Sequence, residues 1–376
     1  MGLAYLAGYL EREGFEVKVL DARLGMAENE GGRKDARTYG LSDEEILAEI
    51  SAFKPDLVGI SCMYTAYSGD AHRVARIAKA HSRDVPVVLG GAHASAFPDL
   101  AVRDPNVDAV IVGEGEETLL EMARSIRNGR VSSNVRGTVV RNGETVLKNP
   151  SRPFIADLDT IPFPARHLLN MDAYIEVTKH YPLTMRRPST TFVTSRGCPK
   201  ECVYCSIQPV WGVRKWRGRS PKNVVDEFEH LMDRYSVSEF HWMDDSAATN
   251  RNRIEGICRE IIERRMDIKW TTPNGIAHWE LNESRLDLMK RAGCYRVTFG
   301  VESGNDEIRR FIGKPHSLGQ AKRVIRHANS IGMWTLATFI IGFPHETEAQ
   351  IRETIDFAVD SGVDMAIFYL LITVPG

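Results

Sequence analysis

Apolar and polar positions repeat at two periods along this chain, and the switches between them mark out its elements. Leu3, Leu6 and Leu10 recur at helical spacing, which predicts an opening helix with these leucines on one face and ended by Gly14. In FEVKVLD, Phe15, Val17 and Val19 alternate as in a strand. Ser42, with Glu45 three residues on, reads as a capping box ahead of Ile46, Leu47, Ile50 and Phe53. There follow strand DLVGIS, helix HRVARIAKAH, strands VPVVLGG and VDAVIVG, and helix ETLLEMARSI. A hairpin, RGTVVRNGETVLK, turns on Asn142-Gly143. The alternation predicts a doubly wound, Rossmann-like α/β domain over residues 1–148.

Residues 149–190 are studded with proline and lack a period, so they read as a linker. A second series then covers 191–376, with strands TFVTSR, SEFHWMD, IKWTTPN, YRVTFGVE, TLATFIIG and AIFYLLITV. Its helices are PKNVVDEFEHLMDRY, RIEGICREIIERR, ESRLDLMKRAG, one stretch from Asp306 to Ile331, and TEAQIRETIDFAVDSG. Six strands and five helices predict a partial (βα)6, TIM-like barrel with its site at the C-terminal strand ends. The chain opens on a helix and stops at Gly376 just after the sixth strand. The expectation is that a first strand and a closing helix are missing from a cut sequence.

Composition narrows the partners. With 48 Lys+Arg against 50 Asp+Glu the net charge is -2, so no nucleic-acid partner is expected. Val213–Ser220 (VRKWRGRS) is a local basic stretch, read as a solvated loop or a contact to an anionic substrate rather than an RNA site around Trp216. The apolar runs Trp334–Phe343 and Met365–Val374 are about half of the roughly 20 residues a membrane span needs. The N-terminus lacks the basic start of a signal peptide, and six scattered cysteines make no disulfide framework, so a reducing cytoplasm is the expected compartment.

Chemistry concentrates in GCPKECVYC, where Cys198, Cys202 and Cys205 follow a strand at spacings of four and three. Three thiolates on one loop suit three irons of a cubane and leave the fourth iron open. A closed zinc site needs a fourth ligand; His180, His230 and His241 stand at no usual spacing for it. Cys258 falls on the Ile254/Ile257/Ile261 helix face, and Cys62 and Cys294 adjoin strands, so these three read as core.

CxxxCxxC after the first strand of a partial barrel resembles the radical S-adenosylmethionine (SAM) superfamily. The resemblance implies a [4Fe–4S] cluster whose open iron chelates SAM, and reductive cleavage of SAM to a 5′-deoxyadenosyl radical. It implies that Tyr204 packs near adenine, and that Met243, Asp244 and Asp245 meet the SAM amino group. Glu302 and Ser303 match its ribose site, and Ile341 and Gly342 its adenine-binding backbone. Adjacent strand residues point oppositely, so Asp244 and Asp245 are not expected to act as a dyad.

Upstream, GISCMYT, GGAHAS and GEGE together resemble the cobalamin-binding domain of B12-dependent radical SAM proteins. In that family Ser61, Gly90 and Gly91 would border the nucleotide tail of cobalamin, with Thr65, His93, Gly113 and Glu114 as further residues of the same loops. The loop that can supply a lower cobalt ligand would precede Met1. The combined reading is a cobalamin-dependent methyltransferase acting on an unactivated carbon of a small-molecule or natural-product substrate, with flavodoxin or ferredoxin as electron donor. Cyclisation or rearrangement without net methylation, a tRNA methylthiotransferase, and a non-catalytic B12- or metal-sensing module are the alternatives. The methylthiotransferase needs a second cluster that Cys62 alone does not hold.

Overall fold

The structure is a computed structural model that describes residues 1–24, 28–29, 38–129, 133–178, 183–314 and 316–372. In the first sheet Val58–Ser61, Val87–Gly90 and Ala109–Ile111 run parallel in that order. The hairpin Thr138–Asn142/Thr145–Lys148 extends it antiparallel. Side chains leave a strand alternately on its two faces, and here each face has its own core. Val87, Leu89 and Val110 pack with Ile46, Ile50, Ala75 and Ala78; Val88, Ala109 and Ile111 pack with Leu10, Leu119, Leu120 and Met122. This is a doubly wound sheet. The capping box forms as read, with Glu45 N–H donating to Ser42 Oγ and Ser42 N–H to Glu45 Oε2.

Two local expectations are corrected and one is sharpened. Residues 15–20 join no ladder, although Phe15 and Val17 still pack on the second of those cores. Period-2 alternation reports a buried face, but a strand also needs a neighbour to bond, and Val58–Ser61 is the edge of the sheet among the described residues. The opening helix, Gly2–Arg12, buries Ala4, Tyr5, Ala7, Gly8 and Leu10, while Leu3 and Leu6 are only half-buried. Small residues win that face because the linker lies directly on it: a Cβ on Gly8 would stand 2.8 Å from the Phe163 carbonyl. In the hairpin Asn142 pairs with Thr145, so the two turn residues are Gly143 and Glu144, one step beyond Asn142-Gly143.

The second sheet is parallel throughout. Its order is Ser189–Phe192, Glu239–Trp242, Lys269–Ile276, Cys294–Glu302, Trp334–Ile341 and Met365–Leu370. Its first and last strands do not pair among the described residues, so the barrel is open. Helices Pro221–Tyr235, Arg251–Glu263, Glu283–Arg291, Leu318–Ser330 and Glu348–Ser361 follow the successive strands. An aromatic stack anchors the core: Phe228 lies 4.6 Å from Phe192 and 4.3 Å from Phe240, and Trp242 stacks on Trp270 at 4.3 Å. The expected single helix from Asp306 to Ile331 is two, Asp306–Phe311 and Leu318–Ser330. Gly313, at φ +79°, ends the first, and Ser317 caps the second through Gln320 N–H.

Candidate cluster and cofactor site

A two-residue antiparallel ribbon, Ser195–Arg196 against Arg217–Gly218, pinches off the loop 197–216. Gly197 follows at φ +81° with its Cα so close to the Lys215 carbonyl that a side chain has no room. Inside the loop Cys198, Cys202 and Cys205 are half-buried and line one open cavity of about 300 Å³ with Lys200, Glu201, Ile207, Gln208 and Arg214. The loop leans on the barrel: Val203 N–H donates to the Ile312 carbonyl, and a Cβ on Gly313 would stand 2.9 Å from the Glu201 carbonyl.

Burial pushes the Cys202 and Cys205 thiols up, while Lys314 works the other way on both. A metal must therefore displace protons on entering the loop. No three His, Cys, Asp or Glu side chains among the described residues are gathered for a single metal ion. The donor set, three thiols on one cavity whose other lining residues include no Cys or His, fits a [4Fe–4S] cube with one open iron.

The strand-end residues surround this loop in two ways. Some make their contacts at the loop or at the strand ends. Tyr204 O–H donates to Glu302 Oε1 at 2.9 Å, and Lys314 Nζ donates to the same oxygen at 2.7 Å. Burial first, then Glu302, holds the Tyr204 phenol far above its usual range. Ile341 is half-buried and Gly342 exposed at φ +89°, its N–H donating to Glu346 Oε2. Met243 lends its carbonyl to the Asn274 amide, and Asp245 accepts from Gly197 N–H and Trp211 Nε1.

Others are turned into the wall. Asp244 is buried and accepts from Thr194 N–H, Thr194 Oγ1 and Ser195 Oγ, which fixes the strand end that leads into the loop. Ser303, fully buried, bonds Thr354 Oγ1 and accepts from Asn305 N–H. The two aspartates lie past the strand's end at Trp242 and serve different partners.

The glycine loops follow the strands of the first sheet. Ser61 and Thr65 are exposed, and Gly90 is half-buried. Gly91 has φ +99°, and a Cβ there would meet the Cys62 carbonyl at 2.7 Å. His93 is buried with Nδ1 3.0 Å from Thr65 Oγ1, while its Nε2 has no partner among the described residues. Burial, then His72, lowers its pKa. Gly113, at φ +77°, donates its N–H to Ser95 Oγ. Glu114 instead turns to the barrel and bonds Arg196, Arg217 and Ile155 N–H. Helix Ala92–Ala96, which starts at the paired glycines, packs on Ile207–Trp211, which directly follows Cys205.

The B12 binding domain model matches residues 1–123, and the Radical SAM superfamily model matches 192–358. The cytidylyl-2-hydroxyethylphosphonate methyltransferase of Streptomyces wedmorensis is 34% identical over 100% of this chain and 76% of its own length. The chain belongs to the B12-binding radical SAM family. Also similar is the anaerobic magnesium-protoporphyrin IX monomethyl ester cyclase of Rubrivivax gelatinosus, 31% identical over 97% of this chain and 62% of that one. The radical SAM methyltransferase TsrM of Kitasatospora setae, with cobalamin and a [4Fe–4S] cluster bound, shares the fold at TM-score 0.79. It is 21% identical over 98% of this chain and 69% of that one. This B12-binding radical SAM protein is thus an enzyme of the family whose cofactors are the cluster, SAM and cobalamin.

The basic stretch of this radical SAM enzyme is solvated at its start and buried at its end. Val213, Arg214 and Lys215 are exposed, but Arg217 and Arg219 are buried on Glu114 and Glu227, and Trp216 Nε1 donates to the Ser246 carbonyl. Sequence reasoning passed over Lys314, Glu116 and Arg196, whose partners lie 12, 80 and 82 residues away along the chain. The one available signal was the pair of arginines, Arg196 and Arg217, at the two ends of the cysteine loop. Among the described residues no helix is long and apolar enough to cross a membrane.

Proposed function

We propose that this enzyme is a cobalamin-dependent methyltransferase that activates an unreactive carbon of a small molecule. Cys198, Cys202 and Cys205 would hold the [4Fe–4S] cluster. Tyr204, Met243, Asp245, Glu302, Ile341 and Gly342 would face SAM, and Asp244 and Ser303 would hold the strand ends that carry them. Ser61, Thr65, Gly90, Gly91 and Gly113 would border cobalamin, with His93 behind Thr65. When bound, these cofactors supply an electron, a source of an organic radical and a transferable methyl group.

The observation that carries this reading is the packing of Ala92–Ala96 on Ile207–Trp211, which sets the glycine loops beside the thiol loop. Reactants held by those two loops would share one cavity, as transfer between them requires. The similarity to a cyclase over 97% of the chain favours one alternative, ring formation without net methylation. Six free cysteines suit a reducing cytoplasm, with flavodoxin or ferredoxin as donor.

The test is anaerobic. The chain is reconstituted with iron and sulfide, given hydroxocobalamin, SAM and a reductant, and its nucleoside products are quantified against a Cys202→Ala background. Both 5′-deoxyadenosine and S-adenosylhomocysteine are expected. 5′-Deoxyadenosine alone would shift the reading to cyclisation or rearrangement, and neither product above background would overturn it.

A further inference from the structure

The ribbon that closes the cysteine loop sets like charges face to face. Arg196 and Arg217 are register partners, so two guanidinium groups start from directly opposed positions, an unfavourable arrangement in a sheet. Both are nearly out of solvent, their side chains 13% and 6% exposed. Their counter-charges come from the other domain. Glu114 Oε1 accepts from Nη1 of both arginines at 2.8 Å, and Glu114 Oε2 accepts from Arg217 Nη1 and Ile155 N–H at 2.9 Å. Glu116 Oε1 accepts from Arg196 Nη2 at 2.6 Å. The guanidinium groups also lie over rings, Arg196 over Tyr5 and Arg217 over Phe154. Gly113, which precedes Glu114, belongs to a loop opening towards the proposed cobalamin space, and Cys198 lies two residues beyond Arg196.

We propose that Glu114 and Glu116 lock the neck of the cysteine loop, so that docking of the first domain fixes the shape of the cluster site. They are positioning residues, acting on the cluster through Arg196 and Arg217; the inference rests on reading the three cysteines as cluster ligands. With the glutamates in place, two carboxylates balance two guanidinium groups and the neck stays shut. Without Glu114, two opposed arginines share one carboxylate in a poorly solvated place, and separating the ribbon is the simplest relief. Because the same short segment carries Gly113, occupancy of the first domain reaches the cluster through this contact and not through solvent.

The test compares the full chain with Glu114→Gln and with Glu114→Gln/Arg217→Met, in which the one guanidinium left at the neck, Arg196, keeps its carboxylate partner Glu116. Hydrogen–deuterium exchange is followed on peptides from 197–216 and from the strands Val87–Gly90 and Lys269–Ile276. Each protein is measured iron-free and reconstituted, and the reduced cluster is examined by electron paramagnetic resonance. The expected result is exchange about tenfold faster in 197–216 for Glu114→Gln, with the strands unchanged and the cluster's g values displaced. The double variant should restore slow exchange and wild-type g values. Unchanged loop exchange in Glu114→Gln, or uniform acceleration that the double variant does not reverse, would overturn the proposal. Failure of the cluster reading is distinguishable, because wild type would then retain no iron while the iron-free comparison stayed readable.

Discussion

Glu302 takes a left-handed backbone angle, φ +70°, at the end of its strand, and there it accepts from both Tyr204 and Lys314 on Oε1. Strained non-glycine residues at strand ends are enriched where a side chain must be aimed. Replacing Glu302 by Gln keeps the shape and removes the charge-assisted acceptor. SAM binding by the reconstituted protein should weaken about 10- to 100-fold in equilibrium dialysis, the range for one lost hydrogen bond to a charged group. His278 carries a different consequence. It is buried with both ring nitrogens unpartnered among the described residues, and burial, then Lys314, His316 and Arg309, lowers its pKa to about 3. The unfolded chain takes up that proton near pH 6.5, so between about pH 6.5 and 3 the unfolded state binds one more proton than the folded one. Stability then falls with falling pH by about 1.4 kcal/mol per unit. His278→Gln lacks this dependence. Urea titrations at pH 7 and pH 5 should show the variant gaining about 2 kcal/mol on wild type across that interval.

At the scale of elements, what was legible depended on how local the cause is. The Ser42–Glu45 box, the helix Pro221–Tyr235 and the cysteine motif GCPKECVYC are written in fewer than sixteen consecutive residues each, and the structure has each where the sequence puts it. The six parallel barrel strands were legible because each is a short apolar run between helical periods. Phe15–Asp21 misled because a ladder is made by a neighbour, which alternation within one segment does not report. The opening helix was legible as a helix, but its buried small-residue face was not, because Phe163 and Ala165, over 150 residues away, select it. Asp244 and Ser303 were found as positions, but only their hydrogen bonds show that they hold the backbone. Arg217 and Arg219 looked like surface charge because their carboxylates lie on other elements.

At the scale of the whole molecule, the halves share buried contacts: Tyr5 of the first helix bonds the Val193 carbonyl, and Arg219 joins the same carbonyl to Glu227. All six tryptophans lie between residues 211 and 334, so their fluorescence reports mainly the barrel, with Trp211 on the helix that packs on Ala92–Ala96. Leu89, fully buried in the first sheet, is far from every one of them in sequence. Leu89→Ala should cost about 2–5 kcal/mol. If the halves unfold together, the tryptophan-detected urea midpoint will fall with the far-UV one; an unmoved tryptophan midpoint would mean independent unfolding. The burial of three sulfurs has a practical meaning as well. Cys62, Cys258 and Cys294 are 3%, 0% and 1% exposed, with thiols pushed up by burial. Free iron and sulfide added to the folded chain therefore meet the loop's trio as its accessible thiols, and metal misligated on the other three cysteines would mark chains that had opened.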